Sequence, residues 1–418
     1  MMNDSGNNEA SGFFPGNFIQ GVSLLDIARE YGTPLYLYDY AKLHSSWQEL
    51  RSVLPLDVDI FYSLKANPNP TLVKEFCALD AGAEVCSLQE LETALQTGFS
   101  SEDILFLGPG KTHQEIEHCL DVDIYALVCE SFHELNVINK LAQKRQKKAR
   151  VAIRINPNFC AIGAALKMGG RPTQFGIDEN ELLAREKEIF ALSFVDVIGI
   201  HIYNGTRILD HQSIVENSKR VLNLADSLER RWGKKWEMVD VGGGIGVPYF
   251  PGEKTIEIES LRVGLSVLSN YKKDHPKTRI IWESGRFLVA SCGYLLMRIL
   301  DIKKSKGENF IITNGGMNCF SAATGAGSVL ARNFPISLIK KDNDTAVSAD
   351  AAVYTITGRL CTPGDVIARK VFLNSPKIGD QIALGMAGAY GRSASPGLFL
   401  SHGYPMEILI KNGEMFLI

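Results

Sequence analysis

With 418 residues, 45% of them apolar and 22% charged, and a formal net charge of −3, the chain has an ordinary globular composition and enough length for two or three domains. That charge balance argues against a nucleic-acid surface or a polybasic membrane patch, and no apolar run reaches the roughly 18 residues a bilayer span needs. The eight cysteines form no CxxC pair and no Cys/His metal spacing, which points to a reduced, cytoplasmic protein without a structural metal.

The polar opening MMNDSGNNEASG predicts a disordered tail over residues 1–20, with no signal-peptide or lipidation pattern. Residues 21–39, ending in TPLYLYD, predict a segment that adds a strand to a later β domain. Strands then recur at DVDIFYSL (57–64), AEVCS (83–87), ILFLGPG (104–110), DIYALVCE (123–130), ARVAIRINP (149–157), FVDVIGIHI (194–202), WEMVDVGGG (236–244) and RIIWESGR (279–286), with helical patterns between them. A long polar, Gly-rich insertion follows the fifth. This alternation over residues 40–286 fits a (β/α)8 barrel or a doubly wound sheet. The barrel is favoured because chemically interesting residues recur at the C-terminal ends of many successive strands. From 287 to 418 the texture changes to short strands between Gly, Pro, Asn and Asp turns, which reads as an all-β domain. The basic run Lys144 to Lys148 reads as a solvated helix face.

Four segments carry chemistry. FYSLKANPNP places Lys65 at the end of the first barrel strand, where a lysine with a pKa lowered by burial can condense with an aldehyde cofactor. It reads equally as a surface lysine at a strand end. VGGGIGVPYF sets Gly242, Gly243 and Gly244 after a strand, where bare backbone can approach a phosphate or merely turn tightly. It is neither a Rossmann nor a Walker pattern. WESGRFL brings Glu283 and Arg286 together. A carboxylate facing a pyridine nitrogen keeps that nitrogen protonated, and an arginine can hold a phosphate or carboxylate; the two also read as a plain ion pair. RLCTPGDV and GMAGAYGRSAS hold Cys361, a proton donor or a packing residue, and Tyr390, whose hydroxyl can reach a phosphate.

Together, YSLKAN, GGGIG, ESGR, CTPGD and GAYG resemble, in order and separation, the fold-type III decarboxylases that use pyridoxal 5'-phosphate (PLP). The likeness runs from about Pro34 to Ile410. It implies a PLP-binding (β/α)8 TIM barrel with an alanine racemase-like C-terminal β domain, and a homodimer with shared active sites. It implies Lys65 as the residue that carries the cofactor and Glu283 as the partner of the ring nitrogen. Gly242, Gly243, Gly244, Arg286, Thr206 and Tyr390 match phosphate positions, and Arg154 an arginine near the ring hydroxyl. Glu84, Ser87 and Glu90 match a motif near the cofactor and the dimer contact, with Glu84 where most members have Asp. Cys361 and Asp365 match the pair lent by the neighbouring subunit at the substrate, the cysteine as proton donor.

The chain departs from that pattern in three places. Tyr203 stands where a histidine stacks on the cofactor ring, while His201 matches an earlier histidine of some members. Thr362 replaces the glutamate with which diaminopimelate enzymes grip the distal amine. Asn314 replaces a common aspartate. The insertion ALKMGGRPTQFG (165–176), with GIHIYNGTR and GVPYFPGEK, is similar to a subgroup that decarboxylates modified or carrier-linked amino acids, including glutamyl-carrier-protein, siderophore and exosortase-associated enzymes. The resemblance therefore implies decarboxylation of an amino acid, free or tethered to an acyl carrier protein, with release of CO2 and an amine. Arg171, Arg332 and Arg392 are candidate contacts for a distal carboxylate or a phosphopantetheine arm, or plain surface residues; Tyr390 is a further substrate candidate. The competing readings are a PLP racemase, a decarboxylase of a free diamino acid, a non-catalytic PLP carrier and a barrel for another phosphate ligand.

Overall fold

The computed structural model describes residues 16–250, 252–325, 332–340 and 351–418. The tail expected over 1–20 lies mostly outside the described residues; at its end Phe18–Ile19 pairs antiparallel with Val22–Ser23. Two compact units divide the chain. One takes the described parts of Met1–Trp47, Pro248–Lys254 and Leu288–Ile418, the other Gln48–Val247 and Thr255–Phe287. Pro248–Lys254 thus packs with the first unit although it interrupts the stretch read as barrel.

The second unit is a closed parallel barrel. Its strands are β1 (Val58–Ser63), β2 (Gly82–Val85), β3 (Ile104–Phe106), β4 (Ala126–Cys129), β5 (Ala149–Asn156), β6 (Val195–His201), β7 (Met238–Gly243) and β8 (Arg279–Ser284). Each pairs in parallel with its neighbours, and β8 returns to β1, so the ring has no edge. Phe61, Leu105, Val128, Ala152, Ile198 and Ile281, all buried, belong to one apolar cluster of these strands.

Short polar residues after the strands explain where the helices begin. Asn69, Ser87, Thr112 and Ser131 each accept a backbone N–H with the side chain, starting helices Pro70–Ala78, Leu88–Gln96, His113–Asp121 and Phe132–Lys144. Each cap stabilises its helix by about 1 kcal/mol. Thr112 and Glu115 form a full capping box. The basic run after Leu141 is paired on the surface, Arg145 with Asp121 and Glu117, Lys147 with Asp123.

The other unit is a nine-stranded sheet with Gly293–Ser305 as its spine. The first part of that strand pairs antiparallel with Leu35–Asp39 on one side and Gln381–Leu384 on the other; its later part pairs with Glu308–Thr313. Met406–Lys411 runs parallel to Leu35–Asp39. Leu35, Leu37, Leu296, Ile408 and Ile410 bury their side chains in one cluster of this unit. Among the described residues no helix is long and apolar enough to cross a membrane.

Candidate active site

The C-terminal ends of the barrel strands carry a cluster of charged and polar groups, and Glu84 is its first anchor. This side chain, on β2, is fully buried. Its two oxygens take different partners from the end of β1: Ser63 Oγ donates to Oε2 and Lys65 Nζ pairs with Oε1. Lys65 lies in the single 3-10 turn Leu64–Ala66 that follows β1, which swings its amine back toward β2. Its side chain stays 39% exposed, so the expected burial of Lys65 is only partial. The amine is held by an ion pair instead of being stripped of water. Cys86 lies beside this pair, Sγ 4.0 Å from Glu84 Oε1, and burial pushes its thiol up to about 12. Ser87 and Glu90, read from the same motif, brace the strand-to-helix turn: Ser87 Oγ accepts Glu90 N–H at 3.2 Å, and Glu90 accepts Cys86 N–H at 2.7 Å.

A second anchor sits at the ends of β6, β7 and β8. His201 Nε2 is 3.0 Å from Glu283 Oε1, and both side chains are buried. Burial alone would raise the Glu283 pKa. The adjoining His201, with help from Lys65 and Arg154, outweighs it and holds the carboxyl at about 2. Glu283 Oε2 is buried without a hydrogen-bond partner. Asp240, on β7, is also fully buried, and it presents an atom within 4.8 Å of His201 and of Glu283. These three buried side chains thus bring their polar atoms together, and His201 and Glu283 are hydrogen-bonded directly to one another.

The triple glycine leaves the same end of the barrel. Gly242 and Gly244 have φ of +66° and +89°, and a Cβ at either would meet a carbonyl oxygen, Ile202 O at 2.7 Å or Gly205 O at 2.4 Å. The loop is zipped to the next one by backbone bonds, Ile208 N–H to Gly244 O at 3.0 Å and Gly246 N–H to Ile208 O at 2.8 Å. Thr206 thus comes beside Gly244. Thr206 itself pairs with Leu166 of the insertion in a small two-stranded ladder. The Tyr203 ring lies against Gly242, and Lys65 Nζ is 5.7 Å from its centroid. Arg286 opens the short helix Arg286–Val289 directly after β8. Arg154, at the end of β5, is buried with Nη1 3.0 Å from Glu130 Oε1, and its guanidinium lies 4.7 Å from the Phe175 ring centroid. Glu130, which the sequence did not single out, also receives Gly108 N–H and Gly176 N–H.

The sheet unit carries the remaining candidates. Cys361 is an exposed thiol. Asp365, expected at the substrate, is buried and already spent: Oδ1 accepts Met317 N–H at 2.6 Å and Oδ2 accepts Leu360 N–H at 2.8 Å. Its carboxylate shapes the turn that presents Cys361. Tyr390 is half-buried with a φ of +53°. Arg332 pairs with Glu253 at 3.0 Å and stacks on Phe250, and Arg392 pairs with Glu407 at 3.3 Å beside Tyr404. Arg171 donates to Lys167 O. Asn314 donates to Thr33 and accepts Arg298 N–H, so it ties two segments of the sheet unit together.

In the barrel, a buried carboxylate with one unpartnered oxygen faces the same strand ends as an accessible lysine amine and a glycine cradle. That donor set fits an aldehyde-bearing, cationic heterocycle with a phosphate tail. The family model for the pyridoxal-binding domain of pyridoxal-dependent decarboxylases matches residues 40–290. The chain belongs to that family. The decarboxylase is 40% identical over 394 residues to an L-glutamyl–acyl-carrier-protein decarboxylase of Niallia circulans, covering 94% of this chain and 92% of that one. It is 33% identical over 407 residues to a diaminopimelate decarboxylase of Aquifex aeolicus, covering 96% and 92%. Among solved structures, diaminopimelate decarboxylase from Helicobacter pylori complexed with L-lysine superposes with a TM-score of 0.83 at 30% identity, covering 94% of this chain and 95% of that one. PLP is the cofactor of the decarboxylase, and decarboxylation of an amino acid is its reaction.

Proposed function

We propose that this decarboxylase acts on an amino acid attached to a carrier or otherwise modified at its far end, of the glutamyl class, in preference to a free diamino acid. The observation that carries this reading is the 40% identity across 94% of the chain to the glutamyl-carrier enzyme. Thr362 supports it. A neutral hydroxyl there offers a distal ammonium no counter-charge.

Lys65 would hold the aldehyde carbon of the cofactor and Glu283 its ring nitrogen. Gly242, Gly243 and Gly244, with Thr206 and Arg286, would take the phosphate, Tyr203 a ring face and Arg154 the ring hydroxyl. The bound cofactor supplies the sink for the electron pair left when the α-carboxylate departs. Glu84 keeps the Lys65 amine aimed. Ionised Glu283 keeps a proton on the atom it faces. Cys361 of a second copy of the chain delivers a proton from Sγ to the substrate α-carbon, and Asp365 fixes the turn from which it reaches.

We infer a homodimer in the cytoplasm; the exposed Cys361 on a braced turn and eight free thiols support it. The deciding experiment measures CO2 release from a glutamyl-loaded carrier protein, from free glutamate and from diaminopimelate. Turnover restricted to the loaded carrier is expected. Turnover of diaminopimelate at equal or greater efficiency would refute the carrier reading.

A further inference from the structure

Asp240 is buried at the heart of the site, yet none of the roles above uses it. It sits in the middle of β7, level with His201 on β6 and with Ile281 on β8. Oδ1 accepts the N–H of Gly242 at 2.8 Å. Oδ2 is buried and has no donor within reach. Glu283 mirrors this state, with Oε1 taken by His201 Nε2 and Oε2 buried without a donor. Two buried carboxyls this close oppose each other's ionisation, and burial raises the cost of carrying both charges.

One of the two therefore keeps a proton. Glu283 has His201 against it and the charges of Lys65 and Arg154 within reach, all of which favour its anion. Asp240 has one backbone N–H on its side, and Glu84 and Glu283 both oppose its ionisation; burial and these neighbours push its pKa well above the carboxylate range. A proton on Asp240 Oδ2 also supplies the donor that both orphaned oxygens lack.

We propose that Asp240 is a positioning residue that stays protonated at neutral pH and donates its Oδ2 proton to Glu283. Through its other oxygen it fixes Gly242, so one neutral acid links the partner of the ring nitrogen to the loop that takes the phosphate. This rests on the reading of the barrel end as the cofactor site for its consequence, but not for the proton itself.

Asparagine is the isostere of a protonated aspartate, with one acceptor for Gly242 N–H and one donor for Glu283. The test compares wild type, Asp240→Asn and Asp240→Ala, first without cofactor. An acid that is neutral when folded and ionised when unfolded takes up a proton on folding, so it loses stability as pH rises above its unfolded pKa. The melting temperature of Asp240→Asn should therefore gain on wild type steadily between about pH 5.5 and pH 8.5. A difference independent of pH would overturn the proposal. PLP affinity should fall by less than about 3-fold in Asp240→Asn and by about 10-fold or more in Asp240→Ala, the loss of a hydrogen bond to a charged group. Asparagine as damaging as alanine would overturn it, as would zinc or manganese stabilising wild type but not Asp240→Asn. If Asp240→Asn does not fold, the infrared spectrum of wild type decides: a carboxylic-acid C=O band at neutral pH that shifts in heavy water supports the proposal, and its absence refutes it. Loss of PLP binding by wild type itself would sink the cofactor reading while leaving the melting result standing.

Discussion

His201 Nε2 lies 3.0 Å from Glu283 Oε1, with both side chains buried, so the Glu283 carboxylate is held on one side by an imidazole. Removing that donor leaves a buried anion short of a partner. His201→Ala is expected to lower kcat/KM by about 10- to 100-fold, a loss of roughly 1.5–3 kcal/mol, with glutamine recovering part of it. Steady-state kinetics on both variants check this.

Glu283 also sets an acid limb. Its folded pKa of about 2 lies below that of an exposed glutamate, so its ionised form stabilises the fold above the ordinary carboxylate range. That contribution is lost as pH falls through the depressed value. Glu283→Gln should cost a few kcal/mol near neutrality and progressively less toward pH 2, followed as the difference between the two urea-unfolding curves.

Lys65→Ala should abolish the covalent cofactor adduct, seen as loss of the mass increment after borohydride reduction of the PLP-loaded protein, and turnover with it. The same change strands the buried Glu84 carboxylate. A stability loss of about 1–3 kcal/mol is expected, less in Lys65→Arg, which restores the charge without the nucleophile.

Gly242→Ala and Gly244→Ala each place a Cβ on a carbonyl oxygen in a left-handed backbone conformation. Each should cost about 2 kcal/mol or more and weaken PLP binding more than it weakens binding of phosphate-free pyridoxal. Equal loss for both ligands would remove the loop from the phosphate site.

Asp365→Ala should unsettle the Cys361 turn by stranding the N–H groups of Met317 and Leu360, at about 1–3 kcal/mol for each. Cys361→Ala should leave the melting temperature near wild type, since that thiol is exposed, while slowing or misdirecting protonation of the product. Product analysis by mass spectrometry in heavy water separates the two effects.

The barrel was legible because period and punctuation agreed. Seven of the eight segments named from the sequence contain an observed strand and the other, 83–87, overlaps Gly82–Val85, and capping residues such as Ser87 and Thr112 mark where helices begin. Lys65, Glu84, His201, Glu283 and the glycines were legible from motif resemblance, and their convergence on one end of the barrel follows from strand direction. What stayed hidden was set by contacts between distant strands. Asp240 reads as part of VDVGGG, and only the register that sets it beside His201 shows a second acid against Glu283. A charged residue inside an otherwise apolar strand was the signal available. Glu130 was missed for the same reason: its bond to Arg154 spans two strands. The partial exposure of Lys65 could not be read from alternation, because it lies in a 3-10 turn past the strand end.

The strand Leu35–Asp39 has consequences for how the chain is made. Its hydrogen-bonded neighbours are Gly293–Leu296 and Met406–Ile410, so it leaves the ribosome with both flanks unmatched and must wait while most of the polypeptide is synthesised. The intervening barrel depends on late synthesis less, since each of its strands meets one neighbour soon after it is made and only the β8–β1 closure waits for Arg279–Ser284. Assembly should therefore finish with the sheet, and a truncation that removes Met406–Lys411 should leave a soluble barrel attached to an aggregation-prone, open-edged remnant.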